Sequence, residues 1–411
     1  MFRAVVDAGA AQLSSRVRDT LLGSKESWTR RMFELAGQLR KDGGGPVHDL
    51  SLGNPSLEPP TAWRKALVEI LDDEPPGMHR YMTNAGFPEV RAFLAAREAA
   101  RYGLDLNEGH VVMTVGAAGA VNVFFRAILD PGDTVMVPAP YFTEYDHYCT
   151  NVGASLVPIR ATEAFEPDVD AMTAAIDERT RVVLINSPNN PSGAIYSEAV
   201  LQRLADALRA INAKRERPIV VLEDSPYRDL TYDGQDVPSM MRLYEHTALL
   251  TSHSKDLGLA GERIGYIALS PKMHGVETVA RGLGFCNRVL GFVNAPALMQ
   301  RVLPKVLGTP EGKVDVEVYA RRCRKMADGL RELGFGVPEP KAGFFLFPKL
   351  PDALRDAEGG DVALTDALLA KRTIVVPGTA FGVPGYLRLS MATPDEAVDG
   401  ALAAFREVCG K

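Results

Sequence analysis

From about residue 110 the chain alternates short runs of β-branched and other apolar residues with longer stretches in which apolar positions recur every three or four residues. The first kind suits strands buried on both faces and the second suits amphipathic helices. Their alternation predicts a mainly parallel sheet sandwiched by helices, an α/β fold. The strand candidates are His110 to Val115, Thr134 to Val137, Arg181 to Asn186, Ile219 to Leu222, Ala248 to Thr251 and Ile264 to Leu269. Ala118 to Leu129 and Ser197 to Asn212 are helical candidates between them.

Beyond residue 290 the pattern changes. Ala295 to Val306 and the charged stretch Val314 to Leu333 predict long helices, the second long enough to link two domains. Gly343 to Phe347, Val362 to Lys371, Thr373 to Val376, Tyr386 to Ser390 and a closing helix from Asp395 predict a smaller α+β unit. Near the start, Lys25 to Leu39 reads as a helix and Asp42 to Gly45 as a linker. The expected division is an N-terminal arm (1–49) that joins the small domain, a large domain (50–310) and a small C-terminal domain (311–411).

Composition narrows the function. The 411 residues are 46% hydrophobic and 24% charged, enough apolar material for large buried cores. The 46 Lys and Arg against 52 Asp and Glu give a formal charge of -6 with no basic run, which argues against a nucleic-acid or anionic-membrane surface. Asp7, Arg16, Arg18 and Asp19 interrupt the N-terminal stretch, and nothing later approaches the ~20 apolar residues of a membrane span. Cys149, Cys286, Cys323 and Cys409 lie far apart without metal-ligand spacing, so no metal site is expected and reduced thiols in a cytoplasmic protein are.

Candidate chemistry gathers at the ends of the predicted strands. Ser252-His-Ser-Lys255 follows one strand, and Arg263 stands just before the next. A lysine that follows a buried strand near an arginine is suited to losing its proton and acting as a nucleophile. Met113-Thr-Val-Gly116-Ala-Ala-Gly119 runs from a strand through a small-residue turn into a helix, which makes the amides of Ala117 and Ala118 an anion site. A dinucleotide turn is the competing reading, but G-x-G-x-x-G is missing. Asp224 ends the strand Ile219 to Leu222, with Tyr227 close behind, and Asn186 to Gly193 forms a Pro- and Asn-rich turn after another strand.

Together these motifs resemble the fold-type-I pyridoxal-5′-phosphate (PLP) dependent aminotransferases of class I and II, which include aspartate, aromatic and alanine aminotransferases. The resemblance runs from about Leu50 to Ala392, with Ser252-x-Ser-Lys255, Gly258, Gly261 and Arg263-Ile-Gly-Tyr266 as its lysine signature. It implies that Lys255 binds PLP as a Schiff base and shuttles the proton. Ser252, Arg263 and the Ala117 and Ala118 amides would hold the phosphate, and Asp224 would face the ring nitrogen. Asn190 and Tyr227 would bind the ring oxygen. In Pro138-Ala-Pro-Tyr141-Phe142 an aromatic would stack on the ring, and Tyr141 is preferred over Phe142.

On the substrate side the resemblance implies that Arg388 clamps the α-carboxylate and that Gly53 and Asn190 assist it. Tyr81 would reach the phosphate of a neighbouring subunit, so a homodimer with shared active sites follows. The reaction would exchange an amino group between an L-amino acid and a 2-oxo acid, with aspartate or glutamate and 2-oxoglutarate as the expected pair. Arg288 is the candidate cation for a side-chain carboxylate; its alternative is a surface or helix-end role. Tyr145, Tyr148, Phe285 and Phe292 leave an aromatic substrate open. A PLP lyase or synthase of the same fold, a non-catalytic PLP-sensing domain and a nicotinamide oxidoreductase are the rival classes.

Overall fold

The structure is a computed structural model that describes residues 12–22, 28–74 and 76–410. Asp7 and Lys25 therefore lie outside the described residues, and the expected N-terminal helix is seen from Trp28 to Asp42.

After the short strand β1 (His48–Asp49), one sheet collects β2 (Val111–Thr114), β3 (Thr134–Ala139), β4 (Ser155–Arg160), β5 (Thr180–Asn186), β6 (Val220–Asp224), β7 (Thr247–Ser252) and β8 (Gly265–Leu269). The strand order is β2-β8-β7-β6-β5-β3-β4. From β4 to β7 every pairing is parallel, whereas β8 runs antiparallel to both β7 and β2.

Alternate residues of the inner strands feed opposite cores, which explains why they read as continuous apolar runs. Val182 and Leu184 of β5 pack with Phe124 and Phe125 of the Gly116–Ile128 helix. Val183 and Ile185 face Leu201, Leu204 and Leu208 of the Glu198–Asn212 helix. The edge strand β4 was not expected: its exposed face and Pro158 break the apolar run, and an edge is where a sheet tolerates proline.

A second antiparallel sheet joins β9 (Phe345–Leu346), β11 (Val376–Pro377) and β12 (Leu387–Ser390), with β12 in the middle. Between them in sequence, β10 (Thr373–Ile374) pairs in parallel with β1 and so docks the N-terminal segment here. The Val316–Glu332 and Asp395–Val408 helices close this unit over Met326, Leu330, Leu389 and Phe405. Among the described residues no helix is long and apolar enough to cross a membrane.

The topology decides where chemistry can sit. The carboxyl ends of β2, β3, β5, β6 and β7 share one edge of the sheet. Because β8 is antiparallel, the residue just before its start comes to the same edge: Gly265 lies opposite both Thr114 and Ser252.

Candidate active site

A cavity of about 260 Å³ opens at that edge. It gathers most of the residues singled out in the sequence: Gly53, Ala117, Ala118, Asn190, Asp224, Tyr227, Ser252, Lys255, Arg263 and Arg388 all line it.

Lys255 stands on the turn after β7, and its Nζ donates to the Gly53 carbonyl. Burial, reinforced by the positive charges of Arg263 and Arg388, pushes the amine down to about 8. A tenth or so of such a group is unprotonated at pH 7, against well under a thousandth for an ordinary lysine, which makes it a competent nucleophile and base.

Asp224 closes β6. Burial pushes its carboxyl up to about 6, and a hydrogen bond from the Tyr145 hydroxyl to Oδ2, at 2.5 Å, partly offsets that rise. Oδ1 is buried without a partner. A buried carboxylate oxygen left open costs about 1–3 kcal/mol, so this atom is suited to receiving a cationic N–H from a ligand. The backbone behind it is fixed: Asn186 Nδ2 donates to the Asp224 carbonyl at 2.7 Å, and Asn186 Oδ1 accepts from the Asn190 amide at 2.7 Å. One asparagine thus ties the end of β5 to β6 and to the Asn190 turn.

The anion end is built from the Gly116–Ile128 helix, whose first amides have no partner within the helix. Arg263 adopts φ 54 and its guanidinium donates to the Ala260 carbonyl at 2.9 Å. Gly116 has φ +67, and a Cβ there would lie 2.7 Å from Arg263 Nη2, so glycine is what lets the guanidinium lie against the helix start.

Arg388, in β12, brings the second unit to the cavity. Its guanidinium lies 4.8 Å from the centres of both the Phe345 and Phe381 rings. Nη1 donates to Asn190 Oδ1 at 3.3 Å and Nη2 to the Ser51 carbonyl, while Nε is buried without a partner. Burial pushes the group down to about 10, so it remains a cation at neutral pH. A planar guanidinium beside two rings keeps N–H groups that Ser51 and Asn190 do not use, and these can receive a carboxylate.

Three expected residues fall outside the cavity. Tyr141 is corrected by its neighbour: Phe142 lines the cavity, while the Tyr141 hydroxyl turns away to donate to Asp146 at 2.8 Å. Adjacent residues point to opposite sides there, so only one of the pair can face the site. Tyr81 is 85% exposed, beside the Val293–Asn294 turn. Arg288 sits at the end of the Val276–Val289 helix, 5.4 Å from the Phe285 ring, facing a different cleft with Asn84 and Arg281. Within one chain it lies away from Lys255.

Other contributors had no assigned role in the motifs. Tyr145 buttresses Asp224 and meets the Phe142 ring edge-on at 5.5 Å. Tyr148, Ser254 and Phe345 also line the cavity. Asn186 could have been singled out as the first residue of its own Asn/Pro turn; Phe345 meets Arg388 from too far along the chain to signal itself.

The chain is similar to known enzymes over most of its length. Residues 46–405 match the family model of class I and II aminotransferases. Over 405 residues the chain is 31% identical to the aspartate/prephenate aminotransferase of Thermus thermophilus, covering 97% of this chain and 99% of that protein. It is 29% identical over 397 residues to the aspartate aminotransferase of Pyrococcus horikoshii, covering 94% and 95%. A crystal structure of an amino transferase from Eubacterium rectale has a TM-score of 0.89 at 33% identity, covering 96% of this chain and 98% of that one. Thermus thermophilus aspartate aminotransferase with maleate has a TM-score of 0.83 at 29% identity, covering 96% and 99%. The chain thus belongs to the class I and II aminotransferases, PLP-dependent transaminases of fold type I.

Proposed function

We propose that this chain transfers the amino group of aspartate or glutamate to a 2-oxo acid, with 2-oxoglutarate as the acceptor, using PLP held in the cavity beside Lys255. The residues present fit that cofactor. Asp224 Oδ1 is a buried acceptor that lacks a donor, and a pyridinium N–H supplies one. The Ala117 and Ala118 amides, Ser252 and Arg263 offer amide, hydroxyl and guanidinium donors to a phosphate. Tyr227 and Asn190 would hold the ring oxygen, and Phe142 supplies the aromatic face. Bound PLP would supply an electron-accepting ring for the charge left when the substrate Cα–H bond breaks.

The chain's own groups do the rest. Lys255 Nζ would hold the cofactor through its aldehyde carbon and would carry the substrate Cα proton. Its lowered proton affinity suits both tasks. Arg388 binds the α-carboxylate through N–H groups not used by Ser51 and Asn190, and Gly53 stands on the same side of the cavity. Tyr227 and Asp224 would keep the ring oriented.

The observation that carries the reading is the placement of Lys255 and Arg388 on one cavity, one from each sheet. The choice of a dicarboxylate rests on relatives named aspartate aminotransferases and on the maleate, a dicarboxylate, in one of them. The cations lining this chain's cavity are Lys255, Arg263 and Arg388, and each already has a task. A side-chain carboxylate then needs a cation from a second copy, and Arg288 is the candidate. Tyr81 at 85% exposure, Phe285 at 53% and Val289 at 49% give that side of the molecule the exposed apolar surface a homodimer would cover. A second reading, an aromatic donor, is favoured by Phe142, Tyr145, Tyr148 and Phe345 on the cavity wall.

A panel of amino donors with 2-oxoglutarate, repeated on Arg288→Ala, separates the two. Selective loss of aspartate and glutamate turnover in the variant is expected. Preference of the wild type for aromatic donors, with Arg288→Ala unchanged, would overturn the dicarboxylate reading.

A further inference from the structure

The turn that carries Lys255 has two faces. Ser252, Ser254 and Lys255 face the cavity. His253 and Asp256 face away from it, and they bond to each other across the lysine: His253 Nδ1–H donates to Asp256 Oδ2 at 2.9 Å. His253 is 4% exposed and Asp256 7%. Among the described residues His253 Nε2 and Asp256 Oδ1 are buried without partners, so the contact between the two side chains is the polar bond that each makes there.

Main-chain bonds anchor both ends of this clasp. The His253 amide donates to the Ile264 carbonyl at 3.1 Å, just before β8, and its carbonyl accepts from Leu259 at 3.2 Å. The Asp256 carbonyl accepts from the Val314 amide at 3.1 Å, at the approach to the long Val316–Glu332 helix of the second unit.

Behind the clasp lies a buried ionic network. The His253 and Tyr266 rings are 6.0 Å apart. The Tyr266 hydroxyl donates to Glu98 at 2.6 Å and accepts from Arg228 at 2.8 Å, and Arg228 grips Glu98 with a second pair of bonds at 2.6 and 2.8 Å. Asp229 is raised by burial but held below the ordinary carboxylate range by Arg228, Arg101 and His253. The groups facing His253 are Asp256 on its own turn, Asp229 after β6 and Tyr266 on β8, with Arg228 behind Tyr266 and Asp229. They form a stiff, charged backing. An isolated histidine on that face would need none of this; one that holds a turn in register does.

We propose that His253 is a positioning residue: through its bond to Asp256 it fixes the turn that carries Lys255, and so sets where Nζ stands relative to Arg263, Arg388 and the substrate Cα. This rests on the transaminase reading of Lys255. The bond spans the lysine from the residue two before it to the residue after it, so breaking it removes the side-chain tie across the turn and leaves its main-chain anchors and every residue of the cavity wall in place. The amine's proton affinity depends on burial and on two nearby guanidinium groups, so a shifted Nζ changes both its reach and its basicity.

The test compares wild-type holoenzyme with His253→Phe, Asp256→Ala and His253→Asn. Phenylalanine keeps the ring and loses the donor, while asparagine keeps a donor where Nδ1 stood. Three quantities are read on folded, cofactor-loaded protein: kcat, KM for the amino donor, and the midpoint of the pH titration of the visible absorption band. For His253→Phe and Asp256→Ala, kcat is expected to fall about tenfold or more with KM within about twofold of wild type. The spectral midpoint is expected to move by about half a pH unit or more, the net worth of one hydrogen bond expressed as a proton affinity. His253→Asn is expected to restore both. If the first two variants keep the wild-type kcat and midpoint and lose only thermal stability, the proposal is overturned. Failure of both to fold would also count against it, because the pair would then hold the fold and not the lysine. Absence of a visible band from wild type loaded with PLP would instead overturn the transaminase reading itself.

Discussion

Tyr145→Phe isolates the hydrogen bond behind the ring-nitrogen site. The substitution keeps the ring and its edge contact with Phe142 and removes only the hydroxyl that donates to Asp224 Oδ2 at 2.5 Å. A hydrogen bond to an ionised group is worth about 1.5–3 kcal/mol, or roughly one to two pH units of carboxyl proton affinity. Asp224 already stands at about 6 because of burial. Its folded value lies above the unfolded one, so ionising it costs the apoprotein stability in full above about pH 6, and that cost fades as the pH falls from about 6 to about 4. Cofactor binding has the opposite requirement, since a protonated ring nitrogen needs the ionised carboxylate. Wild-type affinity for PLP should therefore weaken below about pH 6, and in Tyr145→Phe the weakening should begin roughly one to two units higher. At pH 6 the variant's Kd should exceed that of wild type about tenfold, with the gap closing by pH 9. Fluorescence titration of the apoprotein with PLP from pH 5 to 9 measures both curves. If the two coincide at every pH, the Tyr145 bond does not tune Asp224.

Gly116→Ala should force Arg263 off the start of the Gly116–Ile128 helix, because the new Cβ would lie 2.7 Å from Nη2 and the backbone has φ +67. Affinity for PLP should drop about tenfold or more, while affinity for pyridoxal without its phosphate stays near wild type; equal loss of both would contradict the phosphate assignment. Arg388→Lys should raise KM for every amino donor roughly 30-fold, since lysine keeps the charge but loses the bidentate fork and the fit between Phe345 and Phe381. Steady-state kinetics with two donors of different side chain check this, and a donor-dependent effect would mean that Arg388 reads something other than the shared α-carboxylate.

The buried strands were legible because parallel strands covered on both faces leave uninterrupted apolar runs, as in Val182 to Ile185. β4 escaped notice because one face is exposed and Pro158 interrupts it. The reversal of β8 carries no periodic signal, yet it is what brings Arg263 to the edge where Lys255 stands. Lys255, Asp224, Asn190 and Arg388 were legible because each sits in a short motif beside a strand end. The contacts of Tyr145 with Asp224 and of Phe345 with Arg388 were not, since they join residues far apart along the chain: Tyr145 touches Asp224 across 79 residues. The exchange of Tyr141 for Phe142 has a simpler cause. A Pro-x-Pro turn sets neither which of two adjacent rings faces inward nor that Asp146 stands ready to accept the other's hydroxyl.

The most direct measurement is borohydride reduction of the PLP-loaded protein followed by peptide mass spectrometry. Reduction should fix the phosphopyridoxyl group on Lys255, in the peptide that also contains His253 and Asp256, and Lys255→Ala should show no such adduct and no transamination. Labelling of a different lysine, or turnover retained by Lys255→Ala, would contradict the assignment of Lys255 as the residue that holds the cofactor and moves the proton.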